Sequence, residues 1–515
     1  MSLAWPHGAL QSVVVRNMEV TVTNQPSRRA VLRILAGTAL ATGATSVLAA
    51  CGAAGTVSTA GSATTTAAAA PATSTASVTS AATTAATTAA ASSSAATAAP
   101  VAHTPVAGKT NLVSYMRTSE QEAFTKRSDQ FNQANPSIHV DFESLTGDYY
   151  TPLKTRIAAG QPPDVYYAHT SNMAYQNFAT GGTALQIDDM IAKNKVDLSQ
   201  WFPQGIAALK LGGKMYGLPV RGQVAWLFMY YNTDLLKKAG INPPTPDWTL
   251  DDLVNAGKQL TKTNGGAVDT WGLGPSTFGY EGTCGHVRRW NGEFWNPASG
   301  PGTTCTLDAD ASVASFEWAW NLMYKDKIMA PTSTDIWKTW GQNKLALVIE
   351  RLAGERASAL QNANKQFEWG LQAMPKGPTG RRGGFLSTDT LQVSKATKSP
   401  DAAFNLLTWF TNKDSGIAAA LQSTGSLTPG FRPDVYCAPE LINDARFPKQ
   451  AMQANCDNAS VDESYTYPAN FRINEVNAVI TQFEKDLWSG KQEPTTSYMK
   501  QYADAINATT KLPVQ

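Results

Sequence analysis

The sequence is short of the residues from which most reactive sites are built. It has five histidines and five cysteines in 515 residues. No two cysteines are spaced as Cys-x-x-Cys and no histidines cluster, so no zinc site is spelled out. Neither Gly-x-Ser-x-Gly nor His-Glu-x-x-His occurs, which removes the esterase-elbow and zinc-protease signatures. Carboxylates are plentiful, but nothing marks two of them as the pair, about 5 Å apart, that a retaining glycosidase needs. No cofactor is implied. The formal net charge is only +2, which offers no basic field for nucleic acid. Apolar runs are scarce as well. Residues 34–50 carry no charge, but they are rich in Ala, Thr and Gly, and their length is near the lower limit for crossing a bilayer.

What surrounds that run is informative. Arg28 and Arg29 precede it, and Leu48-Ala49-Ala50-Cys51 ends it. A positive start, a short apolar stretch and small residues at the end make an export signal. The arginine pair resembles a twin-arginine (Tat) signal, a receptor-read address. The last four residues resemble a bacterial lipobox, which implies cleavage before Cys51 and lipidation of its thiol. A plain membrane helix with an incidental cysteine is the alternative. The stretch before Met18 is unusual for a signal's n-region, and Met18 is a second candidate start. Residues 53 to about 108 are nearly all Ala, Thr, Ser, Gly and Pro. They show no apolar periodicity and read as a flexible linker. Residues 1–50 are therefore assigned to the signal and 51–108 to the lipidated cysteine and its linker. The body is expected to work outside the cytoplasmic membrane, tethered to its outer face.

The body, 109–515, exceeds what one hydrophobic core organises, so two lobes are expected. Strand-like and helix-like stretches alternate from "KTNLVSYM" through a helix at "SEQEAFTKRSDQFNQANP", a strand at "SIHVDFESL", a helix at "YYTPLKTRIAAGQ" and a strand at "PPDVYYAHT". Alternation of this kind predicts an α/β fold with a mainly parallel sheet. Ligands of such sheets bind beyond the C-terminal ends of the strands, here near residues 115–118 and 167–171. Beyond Cys51, the cysteines form two close pairs, Cys284 with Cys305 and Cys437 with Cys456. An exported compartment permits disulfides, and two local bridges are expected.

Further along, "GGKMYGLPVRGQVAWLFMYYNTDLLKKAGINPPTPDWTLDDL" carries a resemblance. Gly213-Lys214-Met215-Tyr216-Gly217-Leu218-Pro219, then Tyr231-Asn232-Thr233-Asp234, are similar to the extracellular solute-binding proteins of ATP-binding-cassette importers, the family that includes maltose-binding protein. Trp248-Thr249 inverts the family's usual order. "ALVIERLAG", "FEWGLQAMPKGPTG", "RGGFLSTDTLQVSKATKSPDAAFNLLTWFTN", "STGSLTPGFRPDV" and the C-terminal "WSGKQEPTTSYMKQYADAIN" follow in the family's order. The resemblance implies a two-lobe periplasmic-binding-protein fold (type II) whose chain crosses between lobes three times as a hinge. Lobe one would comprise 109–222 and 386–434, and lobe two 226–384 and 436–515. It also implies capture of a small solute, with a sugar the expected ligand, delivery to a membrane permease, and action as a monomer without catalysis.

The family stacks sugar rings on aromatic faces and pairs their hydroxyls with polar groups, as buried hydroxyls require. On that basis lobe one contributes Arg117, Tyr167, Thr170 and Ser171, and the first crossing contributes Arg221 and Gln223. Lobe two contributes Tyr280, Trp290 and Trp295 from "GYEGTCGHVRRWNGEFWNP". Gly384, Phe385 and Ser387 lie at the second crossing, and Phe471 lies where the family adds a late aromatic. Each also has an ordinary reading: loop capping, surface charge or core packing. Glu350, followed by Arg351, replaces the apolar end of the family's Gly-Pro-Trp; it either pairs on the surface or faces the cleft. That departure keeps a non-sugar solute (polyamine, peptide or glycerol phosphate) as the alternative, with a secreted carbohydrate-active enzyme as the remoter one.

The tether generates the first test. Replacing Cys51 by Ser is expected to abolish fatty-acid labelling and leave the precursor uncleaved at that position. Unchanged processing and labelling of the variant would refute the lipobox assignment.

Overall fold

The structure is a computed structural model. It describes residues 103–117, 121–145, 149–224, 227–275, 279–296, 302–351, 366–422, 430–460, 465–466 and 470–511. Cys51, the signal and the linker up to residue 102 lie outside the described residues.

Three strands and two helices open the fold in the order expected: β1 (Thr110–Arg117), α1 (Gln121–Ala134), β2 (Ile138–Leu145), α2 (Tyr150–Ala158) and β3 (Val165–His169). β1 pairs in parallel with both β2 and β3. Two strands then run towards and away from the second layer: β4 (Leu218–Gln223) and β5 (Leu227–Asn232). β5 enters a five-stranded sheet with β6 (Lys262–Asn264), β7 (Ala267–Leu273), β8 (Leu345–Arg351) and β9 (Trp369–Ala373), in the order β9-β5-β8-β7-β6. The chain returns in β10 (Phe385–Val393), which lies antiparallel to β3 and β4 in the first sheet.

Both sheets are thus mixed, where mainly parallel ones were expected. The reason is the crossing itself. A strand that leaves the first sheet at one edge must enter the second sheet from its facing edge. β5 therefore runs antiparallel to β8 and β9, while β7 and β8 stay parallel.

Three apolar cores follow from the same alternation. Leu112, Phe124, Phe131, Tyr166, Leu391, Phe404 and Phe410 are buried around the first sheet. In β5 and β8, one face (Met229, Tyr231, Leu347, Ile349) packs on helices α3 (Leu250–Leu260), α4 (Gly279–Arg288) and α5 (Asp310–Trp320). The opposite face (Phe228, Tyr230, Val348) meets Trp340, Trp369, Val435 and Met452. Period-two alternation places neighbours on opposite faces. Both faces are covered, so "LFMYYN" is apolar throughout. Thr249 and Asp252 form a reciprocal capping box that starts α3.

The C-terminal third adds α6 (Pro400–Phe410), α7 (Lys413–Gln422), α8 (Lys449–Ser460), β11 (Tyr465–Thr466), α9 (Ile473–Leu487) and α10 (Thr496–Thr510). β9 is an edge strand, and α8 lies against it. Gln450 donates to the Leu371 carbonyl at 3.0 Å and accepts from the Leu371 N–H at 3.4 Å, so one side chain occupies backbone groups that would otherwise invite another strand. Within 436–515, assigned above to lobe two, β11 instead pairs with the start of β10 in the first sheet.

One of the two expected bridges forms. Cys437 and Cys456 are joined, tying the segment after α7 to α8. Cys284 and Cys305 are not: both are buried thiols. Their loop is closed by other means. The strands Trp295–Asn296 and Thr304–Cys305 pair as a hairpin, and the Asn507 side chain accepts the Cys305 N–H at 2.6 Å. Burial, with Cys284 nearby, pushes the Cys305 thiol well above its usual range, which keeps it protonated and slow to react.

Peptide mapping of the non-reduced protein is therefore expected to find Cys437 bridged to Cys456, with Cys284 and Cys305 alkylated only after unfolding. Reduction should lower stability by about 3 kcal/mol, the loop-closure value for a ring of this size. A Cys284–Cys305 peptide in native material would contradict this.

Candidate functional site

The pairing register gathers polar side chains on one edge of the first sheet. Arg117 ends β1 and His169 ends β3. Arg221 and Gln223 end β4, and Ser387 and Asp389 open β10 opposite them: Ser387 faces Gln223, and Asp389 faces both Arg221 and His169. Gly222 lies between them at φ +145°, where an added Cβ would strike the Ser387 carbonyl and the Phe431 ring. Only glycine lets β4 and β10 approach so closely here.

Asp389 is the hub. It is 4% exposed, with His169 Nε2 2.9 Å from Oδ1 and Arg221 Nε 3.4 Å from Oδ2. Burial would push its carboxyl up, yet His169, Arg221 and the Tyr167 hydroxyl hold it well below the usual carboxylate range. The Ser171 N–H donates to His169 Nδ1 at 2.9 Å. That leaves the imidazole proton on Nε2, facing Asp389. The Ser171 hydroxyl also lies 2.5 Å from Nδ1. His169's own N–H donates to the Tyr150 hydroxyl oxygen.

The expected residues fare differently. Arg117 is exposed, with a guanidinium nitrogen 3.5 Å from the Tyr167 hydroxyl. Thr170 is buried, and its hydroxyl donates to the Thr388 carbonyl at 2.9 Å. Ser171 is half-buried at the edge. Tyr167 presents no open face: the ring is fully enclosed, edge-on to Tyr149. Arg221, Gln223 and Ser387 are buried at the crossing.

On the second layer, Glu350 is buried near the end of β8, in register with Phe228. Trp295 is inside the core, with Gly302 packed on its ring, so packing explains it. Trp290 is half-buried against His286 and Trp318. Phe471 is half-buried on the same core. Tyr280 lies in the first turn of α4 and Phe385 begins β10; their side chains lie outside the described ones. His286 is a packed histidine, brought down to about 3 by burial and by Arg289.

A cavity of 630 Å³ opens between β9 and α8, bordered by Leu227 at the start of β5 and Gly384 just before β10. Its wall is Leu227, Pro246, Ala373, Met374, Arg382 and Gly384 on one side and Lys449, Gln453, Asp457 and Asn458 of α8 on the other. Of the residues named from sequence, only Gly384 lines it. Nothing in the spacing of "KQAMQANCDNAS" marks a ligand wall, because that role depends on α8 docking beside β9. His169 and Asp389 were also missed. The one available signal was a lone acid in the otherwise uncharged strand "FLSTDTLQV", since a buried charge requires a partner.

The arrangement is suited to holding polar groups. Asp389 is ionised and held by cationic and polar partners, which is the wrong state for a general acid. Among the described residues no three His, Cys, Asp or Glu side chains converge as metal ligands. No described helix is long and apolar enough to cross a membrane.

Two α/β layers, with strands passing between them and a polar edge where they cross, define a two-lobe solute-binding fold. The chain belongs to the bacterial extracellular solute-binding protein family, whose model matches residues 114–417. It is 27% identical over 294 residues to a putative binding protein of Brucella abortus, covering 55% of this chain and 67% of that one. It is 28% identical over 158 residues to the melibiose/raffinose/stachyose-binding protein MelE of Bacillus subtilis, covering 30% and 34%. In fold it is similar to a substrate-binding protein of Listeria monocytogenes solved with cycloalternan (TM-score 0.62, 22% identity, 79% of this chain and 100% of that one). The sugar-binding protein MalE of Xanthomonas citri is also similar (TM-score 0.66, 17%, 78% and 97%).

The Asp389 hub gives a pH-dependent prediction. A carboxyl held below its unfolded value stabilises the fold above about pH 4, and that contribution fades as pH falls through the folded value. Asp389→Asn should cost about 3 kcal/mol at pH 7, because it removes the buried charge that His169 and Arg221 both approach. In urea titrations the gap between parent and variant should narrow at pH 3. A gap that is equal or wider at pH 3 would contradict the assignment.

Proposed function

We propose that this protein captures a carbohydrate between the facing edges of its two sheets and delivers it to the membrane permease of an ABC importer. The observation that carries this reading is the polar edge of the first sheet, where Arg117 and Ser171 stand outside the buried Arg221, Gln223 and Ser387, with Glu350 near the end of β8 in register with Phe228, just past the crossing. A sugar hydroxyl taken out of water needs a partner for its proton and its lone pairs. These edges offer guanidinium, amide, hydroxyl and carboxylate groups together. Relatives named for melibiose, raffinose and stachyose and for arabinooligosaccharides support a sugar as the solute.

The lobes, 109–222 with 386–434 and 226–384 with 436–515, would close on the ligand about the strands that join them. Only a closed state touches the solute from both sides, so binding favours closure. The protein acts by binding alone, as a monomer. A lipid on Cys51 and a linker over 51–108 hold it at the outer face of the cytoplasmic membrane after Tat export.

A thermal-shift screen of mono- and oligosaccharides, with polyamines and peptides as the contrast set, tests the ligand class. A sugar at a hundred times its Kd should add about 2.7 kcal/mol of apparent stability. Against that sugar, Arg117→Ala and Tyr280→Ala should each bind about ten- to a hundredfold more weakly by calorimetry, with the unfolding midpoint of the free protein unchanged. Stabilisation by a polyamine or peptide and by no sugar would overturn the carbohydrate reading.

A further inference from the structure

The cavity between β9 and α8 is bordered by a cation that nothing above explains. Arg289 follows α4 and is 2% exposed. Its Nε donates to the Arg382 carbonyl at 3.1 Å, one terminal nitrogen lies 3.5 Å from His286 Nδ1, and the other lies 3.9 Å from the Met374 sulfur. Among the described residues no carboxylate meets it. Burial alone brings the guanidinium down to about 9, so it stays protonated at neutral pH. A buried charge is normally matched by an opposite one, and a thioether and a neutral imidazole are poor substitutes.

Arg289 sits directly behind the cavity wall. Met374 and Arg382, two of the three partners of its guanidinium, both line the cavity, as does Gly384. Between them, Gly383 packs so tightly that an added Cβ would strike the Gly285 carbonyl and the Arg289 side chain. Among the described residues the wall carries Arg382 and Lys449 against one acid, Asp457. Asp457 is exposed and already accepts from Gln453 at 2.9 Å. Asp247, next in sequence to the wall residue Pro246, is 2.8 Å from Lys376. Gln372 and Gln450 have their amides committed to backbone groups. The buried Asn458 amide nitrogen has no hydrogen-bond partner among the described residues. Arg382 itself donates to the Pro246 carbonyl and lies close enough to Asp247 to join Lys376 in lowering that carboxyl. Lys449 and the Asn458 amide add donors at the wall, with the Arg289 charge behind it.

We infer that this cavity is the subsite for an acidic group of the solute, a carboxylate or phosphate, recognised by Arg382, Lys449 and Asn458 at the wall with Arg289 behind them. The inference rests on the solute-binding reading and narrows it: the captured saccharide is an acidic one. A volume of 630 Å³ is in the range of small-molecule sites. It lies beside Leu227 and Gly384, the residues that border the first and second connections between sheets. An acidic group held there therefore sits next to the strands that join the lobes.

Calorimetry on the mature protein with matched pairs decides it: glucose against glucose 6-phosphate and galactose against galacturonate, with inorganic phosphate alone as a third arm. The acidic member should bind on the order of ten- to a hundredfold more tightly, as charge-assisted hydrogen bonds imply, and the preference should shrink as salt is raised. The double variant Arg382→Gln, Lys449→Gln should bring the ratio towards one. Arg289→Met should lower the ratio while the unfolding temperature holds or rises, since replacing a buried unmatched charge by a packed apolar chain does not destabilise. If neutral sugars bind and their acidic partners bind no better, the acidic subsite is overturned and the sugar-binding reading stands. If no sugar of either kind binds, the sugar-binding reading falls. An acidic preference that survives both sets of substitutions would place the anion elsewhere and overturn the cavity assignment.

Discussion

Asp389 is a carboxylate that cannot be solvated where it sits, and the edge of the first sheet is organised around satisfying it. It holds His169 from β3 and Arg221 from β4, so three strands are locked in register by one charge. A buried ion tolerates little displacement, because separation restores a large desolvation cost. The two strands that carry the chain across to the second sheet, β4 and β10, are therefore fixed to each other on the first-sheet side. Any relative motion of the layers must be absorbed beyond Gln223 and before Phe385, which is where glycines and connecting segments lie.

The same constraint separates two kinds of polar residue at that edge. Arg221, Tyr167 and Thr170 spend their polar atoms on the protein itself. Arg117 and Ser171 stand at the solvent side of the same cluster and can exchange water for a solute. A binding edge made this way is preorganised: the outer groups are positioned by inner ones that do not move. On the opposite layer the chemistry is less symmetrical. Most aromatics there are consumed by packing, as Trp295 and Trp340 show, and the open cavity is walled by the helix that also shields the β9 edge.

The disulfide fits this picture. Cys437–Cys456 joins the segment that follows α7 to the helix lining the cavity. It holds α8 against β9, so one covalent tie steadies both an edge strand and the cavity wall. Cys284 and Cys305 have a similar spacing in sequence but sit where a hairpin and Asn507 already close the loop.

Much of the fold was legible because it rests on local rules. Alternation of five-residue to nine-residue apolar strands with amphipathic helices gave β1 to β3 and their helices nearly to the residue, and the motif order gave the family. Patterning also located strand ends: Arg117 ends β1, and Thr170 and Ser171 follow β3 directly. What each of those residues does there was not legible. Whether Tyr167 shows a face or hides it depends on Tyr149 and Asp389, from segments 18 residues before it and more than 200 after it. Whether two cysteines bridge depends on what else closes their loop. The cavity, with Arg289 behind it, exists only because α8 docks on β9 and the 382–384 strip folds over α4. Sequence determines which segments form strands, helices and crossings, because those obey short-range periodicity. Tertiary structure alone decides which charges meet, because Coulombic pairing and burial act between residues hundreds of positions apart.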